Sequence, residues 1–306
     1  MRCVVSLLKG PILITGGSGQ LGHALANAAR ERGLDHVAVS RPDFDFDAED
    51  TIESCFSSAQ PRLVINAAAY TAVDAAETNA QAADRANHTG PWRLAKLCAG
   101  AGIPLIHIST DYVFDGTKIG AYVETDPTHP AGVYGASKRA GELAVLATGA
   151  KAIILRTAWV YSAHGKNFAR TMLGAARKTN NVRVVMDQQG TPTAAPDLAA
   201  AILDIAALLD GGWKPGYGGI FHATNAGETT WHGFAAAIFA AAEPAGLKPP
   251  TLTAIRSEEW PTPAKRPANS RLDCGKLAST FGVKLPAWQL SVAPIVEQLV
   301  AVDGAR

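Results

Sequence analysis

The run Ile12-Leu-Ile-Thr15, followed at once by Gly16-Gly-Ser-Gly19-Gln-Leu-Gly22, leaves this chain few ways to fold. This short apolar run, rich in β-branched residues, reads as a strand buried on both faces. His23-Ala-Leu-Ala-Asn-Ala-Ala-Arg30 then takes up helical composition. Strand, glycine turn and helix in that order open a dinucleotide-binding α/β unit. Gly16 permits the tight turn, Gly19 lets a pyrophosphate approach the backbone, and Gly22 lets helix and strand pack closely. The N–H groups around Gly19, Gln20 and Leu21 are expected to face the anion at the helix N-terminus.

Further strand-like runs follow at Val37–Ser40, Leu63–Asn66, Leu105–Ser109 and Ala152–Arg156, separated by helical stretches such as Ala82–Ala99 and Lys138–Ala147. This alternation predicts an α/β fold, a Rossmann-type doubly wound parallel sheet. Past residue 157 glycines, prolines and aromatics gather, as suits a smaller C-terminal substrate-binding lobe. Ala199–Leu209 is amphipathic and is expected to return to the main sheet. The dinucleotide domain is therefore expected over residues 1–156 with about 180–215, and the lobe over 157–179 and 216–306.

The second strand ends in Ser40-Arg41, where an acid would hold the ribose of NAD. A hydroxyl and a guanidinium suit a 2′-phosphate better, which favours NADPH. Asp43, Asp45 or Asp47 reaching the ribose would instead admit NADH. At 306 residues and a net charge of +1, the chain offers no electrostatic case for nucleic acid or an anionic membrane. No apolar run reaches the roughly 18 residues of a spanning helix. The six-residue apolar stretch near the N-terminus is too short for a signal peptide. Cysteines 3, 55, 98 and 274 show no metal-ligand spacing, so a cytoplasmic protein with reduced thiols is expected.

Tyr134-Gly-Ala-Ser-Lys138 sets a phenol and an ammonium four positions apart, on one face of a helix. A nearby cation favours the phenolate, so the Tyr134 pKa is expected to fall from about 10. Tyr134 then becomes a proton donor to a carbonyl oxygen near neutral pH.

Together with Asn66–Glu77, Ser109–Gly116, Arg156–Tyr161, Gly190–Thr193 and Arg266–Leu272, these motifs resemble the extended short-chain dehydrogenase/reductase family over nearly the whole chain. The resemblance implies a catalytic trio of Thr110, Tyr134 and Lys138, with Thr110 holding the substrate carbonyl and Lys138 also holding the nicotinamide ribose. It places Asp45 and Phe46 near the adenine, and Ala68, Ala69 and Tyr70 along the cofactor; Tyr70 stands where a histidine is usual. It places Asp111, Tyr112 and Trp159 around a sugar, and gives Asn87 a structural role. The implied reaction reduces the C4 ketone of a nucleotide sugar, dTDP-4-dehydro-β-L-rhamnose. Some members dimerise around a metal bound by a carboxylate two residues past the third glycine; Ala24 stands there, so no metal site is expected, and a homodimer stays open. A dehydratase would need an Asp-Glu pair after the threonine, and Asp111-Tyr112 lacks the Glu. An epimerase would retain NAD, against which Ser40-Arg41 speaks. A non-catalytic regulatory subunit is the remaining alternative.

Overall fold

The computed structural model describes residues 9–304, so Cys3 and the N-terminal apolar stretch lie outside the described residues. In chain order the elements are β1 (Ile12–Thr15), α1 (Gln20–Glu31), β2 (His36–Val39), α2 (Glu49–Ala59), β3 (Leu63–Asn66), α3 (Val73–Ala76), α4 (Ala80–Asp84), α5 (Gly90–Ala101), β4 (Leu105–Thr110), α6 (Val133–Ala147) and β5 (Ala152–Thr157). There follow β6 (Val160–Tyr161), α7 (Phe168–Ala176), β7 (Asn181–Val185), β8 (Gln189–Gly190), β9 (Thr193–Ala194), α8 (Ala195–Asp210), β10 (Gly219–His222), β11 (Thr229–Thr230), α9 (Trp231–Ala242), β12 (Thr251–Ile255), α10 (Gly275–Phe281) and α11 (Trp288–Gly304).

Six parallel strands form the main sheet in the order β10-β5-β4-β3-β1-β2. All four side chains of β1 and of β3 are buried, as the continuous apolar runs predict. One face packs Ile12, Ile14, Ile65 and Leu155 against Leu25 of α1, Ile202 of α8 and Leu277 of α10. The other packs Leu13, Val64 and Ile154 against Ile52 of α2 and Leu94 of α5. The chain order reverses between β1 and β3, which makes the glycine turn after β1 the sheet's topological switch point, where ligands of such folds bind.

Two stretches fall across the expected boundaries. β10 and α10 belong to the main-sheet core, although 216–306 was expected in the lobe. Conversely β7, inside the 180–215 stretch expected with the dinucleotide domain, pairs with β12 and buries Val182 and Val184 in a second core with α7, α9 and α11. The amphipathic helix α8 does return to the sheet, against α1.

The helix expected over Ala82–Ala99 is interrupted by a π-helical turn, Arg85–Thr89. Pro91 explains it, because a residue without an N–H cannot close the i→i−4 bond onto the Asn87 carbonyl. That carbonyl abuts Gly141 of α6 so closely that a Cβ there would lie 1.9 Å from it.

Candidate active site

The glycine turn shows what each glycine is for. Gly16 has φ +71°, and a Cβ there would lie 2.7 Å from the Ala68 nitrogen. A Cβ on Gly22 would sit 2.1 Å from the Gly16 carbonyl oxygen, so helix and turn touch backbone to backbone. The N–H of Gly19 closes the turn onto the Gly16 oxygen at 2.9 Å and is thus not offered to an anion, against expectation. The N–H groups of Gln20 and Leu21 open α1, where no preceding turn supplies acceptors. This cradle fits a pyrophosphate, with Gln20 and Leu21 as its donors.

A polar ladder fixes the neighbouring loop. The Asn66 Oδ1 accepts from the Thr15 hydroxyl at 2.6 Å and from the Ala68 N–H at 3.2 Å. Because a backbone N–H can only donate, the Asn66 amide must donate to His107 Nδ1, 2.9 Å away. His107 is therefore neutral, consistent with burial holding its pKa well below the ordinary value. Two residues on, the Asn87 side chain clamps the backbone of Tyr70, accepting from its N–H at 2.8 Å and donating to its carbonyl at 3.0 Å. Ala68, Ala69 and Tyr70 are thereby held half-buried beside the glycine turn. The structural role expected for Asn87 is this clamp and a further bond to Ser137.

After β2, where the adenine was expected, the picture is mixed. Ser40 follows β2, and Arg41 is exposed. Asp45 uses Oδ1 to accept the Asp47 N–H, so it shapes its own turn. Phe46 is a core residue, edge-on to Phe44 and pressed onto Gly90, where a Cβ would meet its ring at 2.3 Å.

Thr110 ends β4, and Tyr134 and Lys138 lie on α6 above it. The Thr110 hydroxyl, beside Tyr134, donates to Asp111 Oδ1 at 3.0 Å and accepts the Tyr112 N–H at 3.2 Å. Glu77 sets the start of α6 by accepting the Val133 N–H at 2.9 Å. The ring of Tyr112 meets that of Tyr134 edge-on at 5.4 Å. Burial pushes the Tyr134 phenol up, opposite to the expected fall; the Thr110 hydroxyl lowers it, while Asp111 and Tyr112 raise it. The reason is that Lys138 turns its Nζ to the Ile108 carbonyl at 2.6 Å, and desolvation outweighs any cationic help to the phenol. Lys138 itself is lowered to about 8 by burial, with Glu142 pulling it back up.

Glu142, one turn beyond Lys138, is the residue sequence reasoning missed. Fully buried, it accepts from Ser109 at 2.6 Å, from Arg156 Nε at 2.8 Å and Nη2 at 2.7 Å, and from Arg139 at 3.0 Å. Its only signal was an acid four positions after Lys138, with Arg156 at a strand end.

The residues expected around the sugar separate. Asp111 is 3% exposed; its Oδ1 accepts the Thr110 hydroxyl at 3.0 Å, its Oδ2 has no hydrogen-bond partner among the described residues, and burial raises it to about 6. Tyr112 is half-buried and its phenol, pushed up to about 12 by burial, is 3.5 Å from Arg266 Nη1. Arg266 also donates to Asp74 at 2.6 Å, tying the lobe to α3. Trp159 has φ +49°, a conformation that a bulky residue holds only under constraint and that gathers at functional sites. One face of its indole is stacked on Trp231 at 3.6 Å.

Comparison with known proteins decides the family. Residues 10–301 match the model of the RmlD substrate binding domain. The chain belongs to the dTDP-4-dehydrorhamnose reductase family. It is 42% identical to the dTDP-4-dehydrorhamnose reductase of Sinorhizobium fredii, over 94% of this chain and 97% of that protein. To the enzyme of that name from Escherichia coli it is 40% identical, over 94% and 97%. Among solved structures, a dTDP-4-dehydrorhamnose reductase from Clostridium acetobutylicum superposes with TM-score 0.87 at 35% identity, covering 94% of this chain and 99% of that one. A Bacillus anthracis dTDP-4-dehydrorhamnose reductase in complex with NADP gives 0.86 at 30%, with the same coverages. The doubly wound α/β fold and the family resemblance expected from the sequence are both borne out.

Proposed function

We propose that this protein reduces the C4 ketone of dTDP-4-dehydro-β-L-rhamnose to dTDP-β-L-rhamnose. The observation that carries this reading is the placement of Thr110 at the carboxyl end of β4 beside Tyr134 and Lys138 of α6, with β3 between β4 and the strand of the glycine turn. NADPH, when bound, supplies the hydride. Thr110 holds the ketone oxygen, and Tyr134 gives it a proton as negative charge develops there. Lys138, cationic below about 8, stabilises the phenolate that Tyr134 becomes. Tyr112, whose phenol is held protonated and set against Tyr134, stands where an eliminating enzyme needs a carboxylate, so the site is built for reduction.

The exposed Arg41 after β2 supports NADPH over NADH. Nicotinamide oxidation with the dTDP-4-keto sugar tests both points. Turnover with NADPH, and a fall of roughly tenfold in NADPH-over-NADH preference on Arg41→Ala, are expected. Equal use of the two cofactors by both proteins would remove Arg41 from the assignment, and no turnover with either would favour a regulatory role.

A further inference from the structure

The Glu142 carboxylate ties three elements together. Glu142 is fully buried on α6, one turn past Lys138 and two past Tyr134. From β4, the Ser109 hydroxyl donates to Oε1 at 2.6 Å. From β5, Arg156 donates Nε to Oε1 at 2.8 Å and Nη2 to Oε2 at 2.7 Å. Arg139, on α6 itself, donates to Oε2 at 3.0 Å and is held in turn by the Thr128 hydroxyl. Ser109 and Arg156 face each other in the β4–β5 ladder, and the next pair along it is Thr110 with Thr157. The carboxylate thus grips the ladder one residue short of the strand end that carries Thr110. On the other side of Ser109, the Ile108 carbonyl accepts from Lys138 of the same helix at 2.6 Å. A buried ion pair is a poor source of stability, because desolvation of both charges offsets much of their attraction. What this one provides is the register of α6 on the end of β4.

We propose that Glu142 is a positioning residue for the reduction, fixing Thr110 on β4 against Tyr134 on α6 so that one ketone oxygen reaches both hydroxyls. The role rests on the reductase reading above. A carbonyl oxygen shared by two hydroxyls must lie within hydrogen-bond reach of each, and here each belongs to a different element. Sliding α6 along β4 by about 1 Å loses on the order of a hundredfold in rate, while the contacts that bind cofactor and sugar elsewhere stay in place. Glu142 touches no reacting atom and exchanges no proton. It acts through Ser109 on one side and through its own helix on the other.

Three variants separate position from stability. Ser109→Ala removes the bond beside Thr110 and leaves the Glu142–Arg156 pair whole, so the fold is retained. Its kcat with NADPH and the dTDP-4-keto sugar should fall roughly tenfold. Both KM values should stay within about threefold, as uniform binding is untouched. Glu142→Gln should lose roughly a hundredfold in kcat after correction for the folded fraction. Combining Glu142→Gln with Arg156→Met also removes the unpaired guanidinium. Urea denaturation of that double variant should show stability returning toward wild type, while kcat stays low. NADPH deuterated at the transferred position should slow all three variants more than it slows wild type, because hydride transfer has become limiting. A double variant that recovers kcat together with stability reduces Glu142 to a core ion pair and overturns the proposal. Ser109→Ala with wild-type kcat and isotope effect overturns it as well, and both results leave the reductase assignment intact. A wild type that oxidises no NADPH with this sugar overturns the assignment and the proposal with it. Should neither Glu142 variant fold, Ser109→Ala decides alone.

Discussion

Tyr134 illustrates how far the fate of one side chain depends on groups remote in sequence. Four-residue spacing predicts a lowered phenol pKa, yet the phenol is raised, because burial removes the water that would solvate a phenolate. The phenol is thereby kept as a donor at neutral pH. Tyr134→Phe should leave cofactor affinity unchanged and lower kcat by about 10²–10⁴-fold; wild-type turnover by this variant would remove Tyr134 from the chemistry. Lys138 gives a pH prediction with a definite sign. Its pKa lies near 8 against an ordinary 10.5, so the folded protein sheds this proton first. Between those values the unfolded chain binds more protons, and the Lys138 contribution to stability rises with pH. Activity moves the other way, since the neutral amine no longer stabilises phenolate. A plot of kcat/KM against pH should therefore turn down above about 8, and a level profile from 7 to 9.5 would contradict it. Much of this site was legible in sequence because Thr110, Tyr134 and Lys138 occupy a strand end and one helix face. Glu142 was not: its buried partner Arg156 reaches it only once β5 pairs with β4.

Elements hold these side chains through contacts that admit no extra atoms. The π-helical turn pushes the Asn87 carbonyl toward α6, and only a residue without a Cβ fits at Gly141. Gly141→Ala raises helix propensity yet should destabilise the protein by about 1–3 kcal/mol, because the overlap is with backbone. The same shift should displace α6 and lower kcat with little effect on the fold, which urea denaturation and steady-state kinetics together would show. An alanine variant as stable and active as wild type would mean that α6 slides freely along the turn. Glu142 works at this scale too. It binds Arg156 of β5 to α6 in the core, so Glu142→Gln should destabilise by about 3–5 kcal/mol, leaving Arg156 charged and underpartnered. Strands β1, β3, β4 and β5 were readable because buried parallel strands are continuous apolar runs. β10 was not, since Gly219-Ile-Phe-His222 is short, sits in turn-rich sequence, and owes its place to pairing with β5.

The whole molecule is two cores that exchange segments, which explains why expected boundaries drifted. β7 and β12 build the lobe, while β10 and α10 return to the main sheet, and no local composition marks those crossings. Among the contacts that join the cores, two sets flank the candidate site. At the glycine turn, His164 of the lobe reaches the Ser18 carbonyl at 3.0 Å and stacks on His23 of α1 at 4.1 Å. Beside Tyr112, where the proposed sugar site lies, Arg266 holds Asp74 and approaches the Tyr112 phenol. Because Arg266 is only 22% exposed and bonds to a charged partner, its loss should weaken the sugar end by about 1.5–3 kcal/mol. Arg266→Ala should thus lower kcat/KM for the nucleotide sugar roughly ten- to hundredfold, mainly through KM, with the KM for NADPH nearly unchanged. Arg266→Lys restores the charge without the two-pronged geometry and should recover only part of the loss. Equal effects on both substrates would indicate that the lobe closes as one body over the whole cleft, so that the Asp74–Arg266 pair governs closure and not sugar affinity.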